Sequence, residues 1–431
     1  ENSPPLVLRP RPTLPVELEL LTRQFGGGAV ARVVDKDQWL RPAAVRGALR
    51  FWWRALHAHT YADVSAMRTA EAAIFGRAGD DDGGAGAVSL AIVQREPGDG
   101  VEAWAPAPGE ALNGTYFAAV GMGGAADAEL LPPGHHARLM LSATVALSQE
   151  QQQQVQAALV AWVTFGGSGA RTRRGAGAVG WRSEGDAQRA SAPCSLVELD
   201  DWLAALPRGA CTLDCFSLRR TEAVFRTAPL NDAVTAHREL AALWRDFRQD
   251  RTHPANWVGA AGWGRSHWPE PDAVRVARGT HARWVSGTHH APANPTENRA
   301  PRAWLGLPIV MKFKDDQLLG HNNQPRFHPT RGRIQQAEPG VAQIVAFSTP
   351  GRMPSDRFAS PVLHAVTRIF TGDGARYVGI VLITRPHGTL RPGLKDTETV
   401  LDAGPWNAMQ TRLINHMTRS GLQRIPPGGN P

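Results

Sequence analysis

Arg46-Gly-Ala-Leu-Arg-Phe-Trp-Trp-Arg54 is the stretch from which the rest of the chain can be read. At about 100° per residue, Val45, Leu49, Trp52 and Leu56 fall on one stripe of a helix. Arg46, Arg50, Trp53 and Arg54 fall on a second stripe, roughly 110° around it by the same spacing. The first stripe predicts a buried face, and the second a row of guanidiniums beside an indole. No Asp or Glu lies between Gln38 and Ala62 to neutralise those arginines. Planar, always-charged donors beside an aromatic ring suit a nucleic acid. An amphipathic helix with solvated arginines has the same pattern, so the segment alone leaves both readings open.

Outward from this helix, the alternation of Leu14–Leu21 predicts a preceding strand, and Pro42 sits at a favoured first-turn position. Val88–Val93 and Arg138–Leu147 read as further strands. Ser148 with Gln151 three residues on forms a capping-box pattern. It opens a helix with Val155, Leu159 and Trp162 inward, ending at the glycines after Phe165. Ala178–Trp181 reads as a fourth strand, which gives the order β-α-β-β-α-β of a ferredoxin-like unit. Residues 182–200 read as a linker. Beyond it, strands are expected at Thr212–Leu218, Pro308–Phe313, Val362–Ile369 and Tyr377–Thr384. Helices are expected at Asn231–Phe247 and Pro405–Met417, so the second half reads as a diverged copy of the first. A long insertion near residues 249–305 carries Trp257, Trp263, Trp268, Trp284 and Trp304.

The 431 residues suffice for two or three domains. The net charge of +8 favours a polyanionic partner. Only four basic residues are lysines, against 43 arginines, and codon bias in an Ala- and Gly-rich chain accounts for part of that total. Clustering on one helix face is the better signal. Three cysteines make no disulfide framework, so a reducing cytoplasm is expected. No apolar run approaches the roughly 18 residues of a membrane span.

A second constellation is Phe165-Gly-Gly-Ser-Gly-Ala-Arg-Thr-Arg-Arg-Gly-Ala-Gly177. Glycines such as Gly167 and Gly169 permit positive φ and close backbone approach, so amides can converge on a phosphate. Arg171, Arg173 and Arg174 can clamp neighbouring phosphates bidentately. No carboxylate occurs between Glu150 and Glu184. A flexible surface loop is the competing reading. Gly175-Ala-Gly-Ala-Val-Gly180 matches the dinucleotide fingerprint in letters, but a helix precedes it and no helical pattern follows. Cys211 and Cys215, on an expected strand, read as buried thiols rather than metal ligands, with Cys194 distant. His57-Ala-His59, His135-His136 and His289-His290 lack well-spaced partners. No metal or cofactor is expected.

Together these motifs resemble the RAMP superfamily of CRISPR–Cas systems. Arg46–Arg54 followed by Ile74-Phe-Gly76 looks like its first helix, and Gly169-Ala-Arg-Thr-Arg-Arg-Gly175 like its glycine-rich loop. Gly264-Arg-Ser-His-Trp-Pro-Glu-Pro-Asp272 and Leu307-Pro-Ile-Val-Met311 narrow the likeness to the head-end RAMP subunit of the type III-B (Cmr-type) RNA-targeting complex. The resemblance implies an α+β fold of two tandem ferredoxin-like (RRM-like) domains. These would be residues 1–185 and residues 200–431, the second carrying the insertion. It also implies a non-catalytic, cytoplasmic RNA-binding subunit that engages the guide RNA 3′ region, helps capture target RNA and contacts other RAMP subunits, without a membrane. By position, Arg46, Arg50, Trp53 and Arg54 would line the RNA-facing cleft. Gly167, Gly169, Arg171, Arg173 and Arg174 would hold phosphates, and Arg265 with Trp268 would act from the second domain. Ala176 stands where a bulky aromatic is common. The alternative is a RAMP endoribonuclease acting on guide or target RNA, with His57 as its metal-independent base.

Overall fold

The computed structural model describes residues 13–28, 30, 33–77, 83–104, 128–250, 268–278, 298–312, 327–328, 332–333, 341–347 and 357–428. The first half runs β1 (Thr13–Leu20), α1 (Pro42–His57), α2 (Val64–Phe75), β2 (Val88–Glu96), β3 (His136–Ala143), α3 (Gln149–Phe165) and β4 (Val179–Trp181). Its antiparallel sheet has the order β2-β3-β1-β4. The elements expected from the sequence are present, with α2 added and with a separate small sheet of short strands at Gln24–Phe25, Glu102–Trp104 and Ala128–Leu131 between them. The alternation that marks β1 as a strand puts Val16, Leu18 and Leu20 in the core. Arg41, extended, precedes Pro42 at the start of α1. Ser148 and Gln151 form the reciprocal capping box of α3. The two long helices share one core with the sheet: Val45, Leu49 and Trp52 of α1 and Leu159 and Trp162 of α3. Truncating Leu49 there to Ala costs about 2–5 kcal/mol.

The chain continues through α4 (Glu184–Arg189), α5 (Leu196–Ala204), β5 (Thr221–Arg226), α6 (Ala233–Gln249), α7 (Glu270–Ala277), β6 (Ile309–Lys312), β7 (Val341–Ala346), β8 (Val362–Thr371), β9 (Gly374–Thr384), β10 (Pro392–Leu394), α8 (Trp406–Arg419) and β11 (Gln423–Ile425). A second four-stranded sheet has the order β8-β9-β5-β11. Numbered by appearance within each sheet, both sheets follow one permutation. The first strand of this second set is not Thr212–Leu218 but Thr221–Arg226. Leu213, Phe216 and Leu218 are buried as their apolar character demands, yet their backbone bonds are those of a turn. Cys215 N–H donates to the Leu213 carbonyl at 2.9 Å and Leu218 N–H to that of Ala55 at 2.8 Å. Cys211 is therefore a buried thiol in a turn rather than in a strand, and Cys215 is half-buried there.

The chain forms two compact units, residues 1–242 with 363–384 and 421–431, and residues 243–362 with 385–420. Both four-stranded sheets belong to the first unit, apart from the opening residue of β8. In the second unit, a three-stranded sheet (β10-β7-β6) packs Ile309, Ile344 and Leu394 against Ala273 and Val274 of α7. A buried ion pair, Arg302 Nε to Glu270 Oε2 at 2.9 Å, ties α7 to the 3-10 turn at residues 301–305. The connection from α6 to β8 outlasts the expected 249–305 insertion and includes the Pro308–Phe313 strand, here β6. Trp257, Trp263 and Trp284 lie outside the described residues.

Candidate nucleic-acid interface

Each arginine of α1 finds its partner beyond the carboxylate-free window. Arg50 Nε donates to Glu71 Oε1 at 2.6 Å, and Arg54 Nη1 to the same carboxylate at 3.3 Å. Glu71, on α2, is 1 % exposed, whereas the Arg50 and Arg54 side chains are 33 % and 38 % exposed. Arg46 Nη1 donates to the Phe75 carbonyl at 2.8 Å, and Arg50 Nη1 to that of Gly76 at 3.2 Å. Cations at a helix C-terminus also meet the negative end of its dipole. The Arg46–Arg54 helix and the Ile74-Phe-Gly76 segment thus form one latch. Glu71 meets two of the three guanidiniums and balances one positive charge, so the row on α1 is partly compensated rather than free of acid as expected.

Trp53 is corrected as well. It is wholly buried in the α1–α3 core, and its Nε1 donates to Gln154 Oε1 at 3.0 Å. A ring so placed cannot stack on a base. The stripe expected to face solvent thus contributes its indole to the core, because α3 covers it. Trp268, in the second unit, is likewise 1 % exposed; its Nε1 donates to the Phe247 carbonyl at 2.9 Å, and Arg412 lies 3.8 Å over its ring. Arg265 lies outside the described residues.

The glycine–arginine loop is held from several sides of the first unit. Ala170 N–H donates to the Phe25 carbonyl at 2.8 Å, and Gly177 N–H to that of Arg23 at 2.8 Å. Thr22 Oγ1 donates to the Gly175 carbonyl at 2.7 Å and accepts from Ala178 N–H at 2.9 Å. The glycines serve close backbone packing here. A Cβ on Gly167 would lie 2.4 Å from the Gly177 carbonyl oxygen, and one on Gly177, at φ +63°, 1.9 Å from that of Ser168. Gly169, at φ +80°, abuts the Phe25 carbonyl in the same way. This is an anchored loop, not a flexible one. Ala176 is buried with Phe25 and Leu130.

Its three arginines diverge. Arg171, at φ +64°, is exposed. Arg173 sends its guanidinium over the Phe216 ring at 4.9 Å, and burial lowers its pKa to about 10, which leaves it charged at pH 7. Arg174 Nη1 lies 3.3 Å from His364 Nδ1, and its carbonyl oxygen is 2.9 Å from His237 Nε2. His364 N–H donates to the Arg173 carbonyl at 3.0 Å. Burial pushes His237 down to about 4 and His364 well below its ordinary value, with Arg174 a further cause for His364, so both are neutral at pH 7. Arg173 and Arg174 thus anchor the loop, and Arg171 presents it. His237 and His364 were not singled out in the sequence, since isolated histidines carry no pattern.

The side chains that alternate with the core residues of β1 and β3 include Glu17, Glu19, His136, Arg138 and Met140. Glu17 pairs with Arg138 at 2.5 Å, and Glu19 with Arg368 at 2.8 Å. Among the described residues of these two strands that face carries ion pairs and no aromatic platform, so RRM-type base stacking has no purchase there. His57 is lowered to about 4 by burial first and His59 second, and its ring lies 5.8 Å from that of Trp53. Among the described residues no cluster of His, Cys, Asp and Glu could hold a metal ion, and no helix is long and apolar enough to cross a membrane.

Comparison with known proteins finds one family profile that matches part of the chain. The RAMP superfamily profile matches residues 17–179, a span that includes both arginine motifs. No curated protein matches. Among solved structures the chain is similar to Cmr1 from Pyrococcus furiosus in its apo form, at 15 % identity, with 97 % of this chain and 99 % of that chain covered and a TM-score of 0.48. It is also similar to a chain of the type III-B Cmr-beta complex bound to cognate target RNA, at 11 % identity, with 94 % and 100 % covered and a TM-score of 0.40.

Proposed function

We propose, from the premise that residues 17–179 are a RAMP-superfamily domain, that this chain is a non-catalytic RNA-binding subunit of a type III-B CRISPR effector complex. On this reading it is built on two tandem ferredoxin-like domains, with the connection between α6 and β8 as the insertion of the second. It engages the guide RNA toward its 3′ end, helps admit target RNA, and contacts other RAMP subunits in the cytoplasm.

The observation that carries the reading is the glycine–arginine loop. It is fixed by backbone bonds to residues 22–25 and to His364, and its exposed Arg171 stands at the turn. A rigid loop displays a guanidinium to a phosphate with little ordering cost. The α1 arginines act in this reading through the shape of the fold, and Trp53 and Trp268 as core residues.

Binding of labelled single-stranded guide and target RNA to the full chain, measured across a salt series, tests the reading. Affinity that falls linearly with log salt and weakens on Arg171→Ala supports it; the absence of RNA binding overturns it. Incubation with the same RNAs, with and without Mg²⁺, addresses the endoribonuclease. Cleavage lost in His57→Ala would establish that reading instead.

A further inference from the structure

We propose that the turn from Pro207 to Arg220, together with β11, is a second phosphate-binding surface for the RNA strand that meets the glycine–arginine loop. The inference rests on the function proposed above and extends it to a part of the first unit that neither arginine motif includes.

Among the described residues, Arg208, Arg219 and Arg424 have no acidic side chain within ion-pair distance. Arg208 Nη1 donates to the Thr221 carbonyl at 3.1 Å, but its Nε and Nη2 are buried and find no hydrogen-bond acceptor among the described residues. The same holds for Arg219 Nε and for His59 Nδ1 at the end of α1. Their charged neighbours are basic as well. Arg424 of β11 acts on Arg208, which burial already makes a weaker base, and Arg219 acts on His59. Arg208 and Arg220 are bridged as antiparallel partners, and Gly209 N–H donates to the Arg219 carbonyl at 2.8 Å, so the cations are fixed on one short ribbon.

Elsewhere in this unit the fold supplies acids readily. Arg226, two positions along β5 from the Val224 that pairs with Ile425, is gripped by both oxygens of Asp200 at 2.5 and 2.7 Å. Arg50 and Arg54 of α1 share Glu71. A guanidinium stays charged at any working pH, and its planar fork suits the oxygens of a phosphate. Arg208, Arg219 and Arg424, none of them ion-paired among the described residues, therefore point to an anion from outside the chain.

Continuity selects that anion. Phe216, within the same turn, carries the Arg173 guanidinium over its ring at 4.9 Å, and Leu218 is bonded to the last turn of α1. A basic surface joined in this way to the glycine–arginine loop fits a polyphosphate strand passing from one to the other, rather than a separate acidic protein.

The test uses the full chain, fluorescein-labelled single-stranded RNA and a salt series. Arg208→Ala with Arg219→Ala and Arg424→Ala should lower the slope of log affinity against log salt by about two units, three phosphate contacts at roughly 0.7 each. Arg424→Glu, at an exposed position, should by itself weaken binding about fivefold or more, and it carries the test if the triple variant does not fold. Unchanged affinity and slope in these variants, alongside weakened binding in Arg171→Ala, overturns the second surface and leaves the proposed function standing. If wild-type chain binds no RNA, both fall. Loss of a polyglutamate competitor's binding in the variants, with RNA binding intact, overturns the proposal in favour of an acidic protein partner.

Discussion

Arg46, Arg50 and Arg54 turn toward the end of α2, where a buried glutamate and two carbonyls take their donors, whereas Arg171 stands exposed on a loop fixed by other residues. As sequence, the two clusters look alike: each lies in a carboxylate-free window. The fold ties the first to the end of α2, whereas the second lies on a loop that is itself held in place and keeps Arg171 at an exposed position. Absence of acid along the chain is thus a poor proxy for absence of acid in space, since Glu71 is 17 residues from Arg54 and still within reach of it.

The sharpest way to break this contrast is to remove Arg50 and Arg54 together. Glu71 would be left buried without its cations, at a cost of about 3–5 kcal/mol, the lower figure favoured by the partial exposure of both arginines. Urea unfolding should show the loss, while RNA affinity per folded molecule and its salt slope stay put. A fallen slope would return these arginines to the interface.

The loop side of the contrast depends on neutral histidines. His237 has its pKa lowered to about 4 by burial first of all, and burial also holds His364 well below its ordinary value. The unfolded chain binds protons at pH values where the folded one does not, so this stabilisation is complete above about pH 6.5 and is lost as pH falls toward 4. Each histidine contributes a slope of about 1.4 kcal/mol per pH unit within that window. His237→Gln keeps a donor for the Arg174 carbonyl and removes the titration, so a flatter acid limb is expected. An unchanged limb would mean that His237 does not titrate in that window.

Gly177→Ala should cost about 2 kcal/mol through its left-handed backbone and the adjacent Ser168 carbonyl, and RNA affinity should fall with it. Arg171→Ala is the mildest change. Stability should move by no more than about 0.5 kcal/mol, while the salt slope loses about 0.7 units. A melting temperature that drops with Arg171→Ala would make this arginine structural like those on α1.

Much of the first sheet was legible because alternation in β1 and the capping box at Ser148 are local signals, decided within a few residues. The second sheet was less so. Its opening strand was expected at Thr212–Leu218, where Leu213, Phe216 and Leu218 are buried without pairing, and the strand instead follows at Thr221. Burial is written in side-chain pattern, but ladder formation depends on which partner strand is nearby. The same limit applies at the site. Glycine spacing marked the loop correctly as a place of tight backbone, yet the tight approach is to Phe25 and Ser168 rather than to a ligand. The one acid among the apolar residues of α2, Glu71, is the available clue to the latch, and it lies beyond the carboxylate-free stretch around α1.

β5 takes its neighbours from residues 374–384 and 423–425, so the first unit draws on chain separated by well over a hundred residues. Ribosomal synthesis therefore exposes the edges of β5 until almost the whole chain has been made, and a nascent chain stopped before Gln423 would leave one of those edges open to mispairing. Shortening the chain at its carboxy-terminal side should therefore harm solubility well out of proportion to the few residues removed.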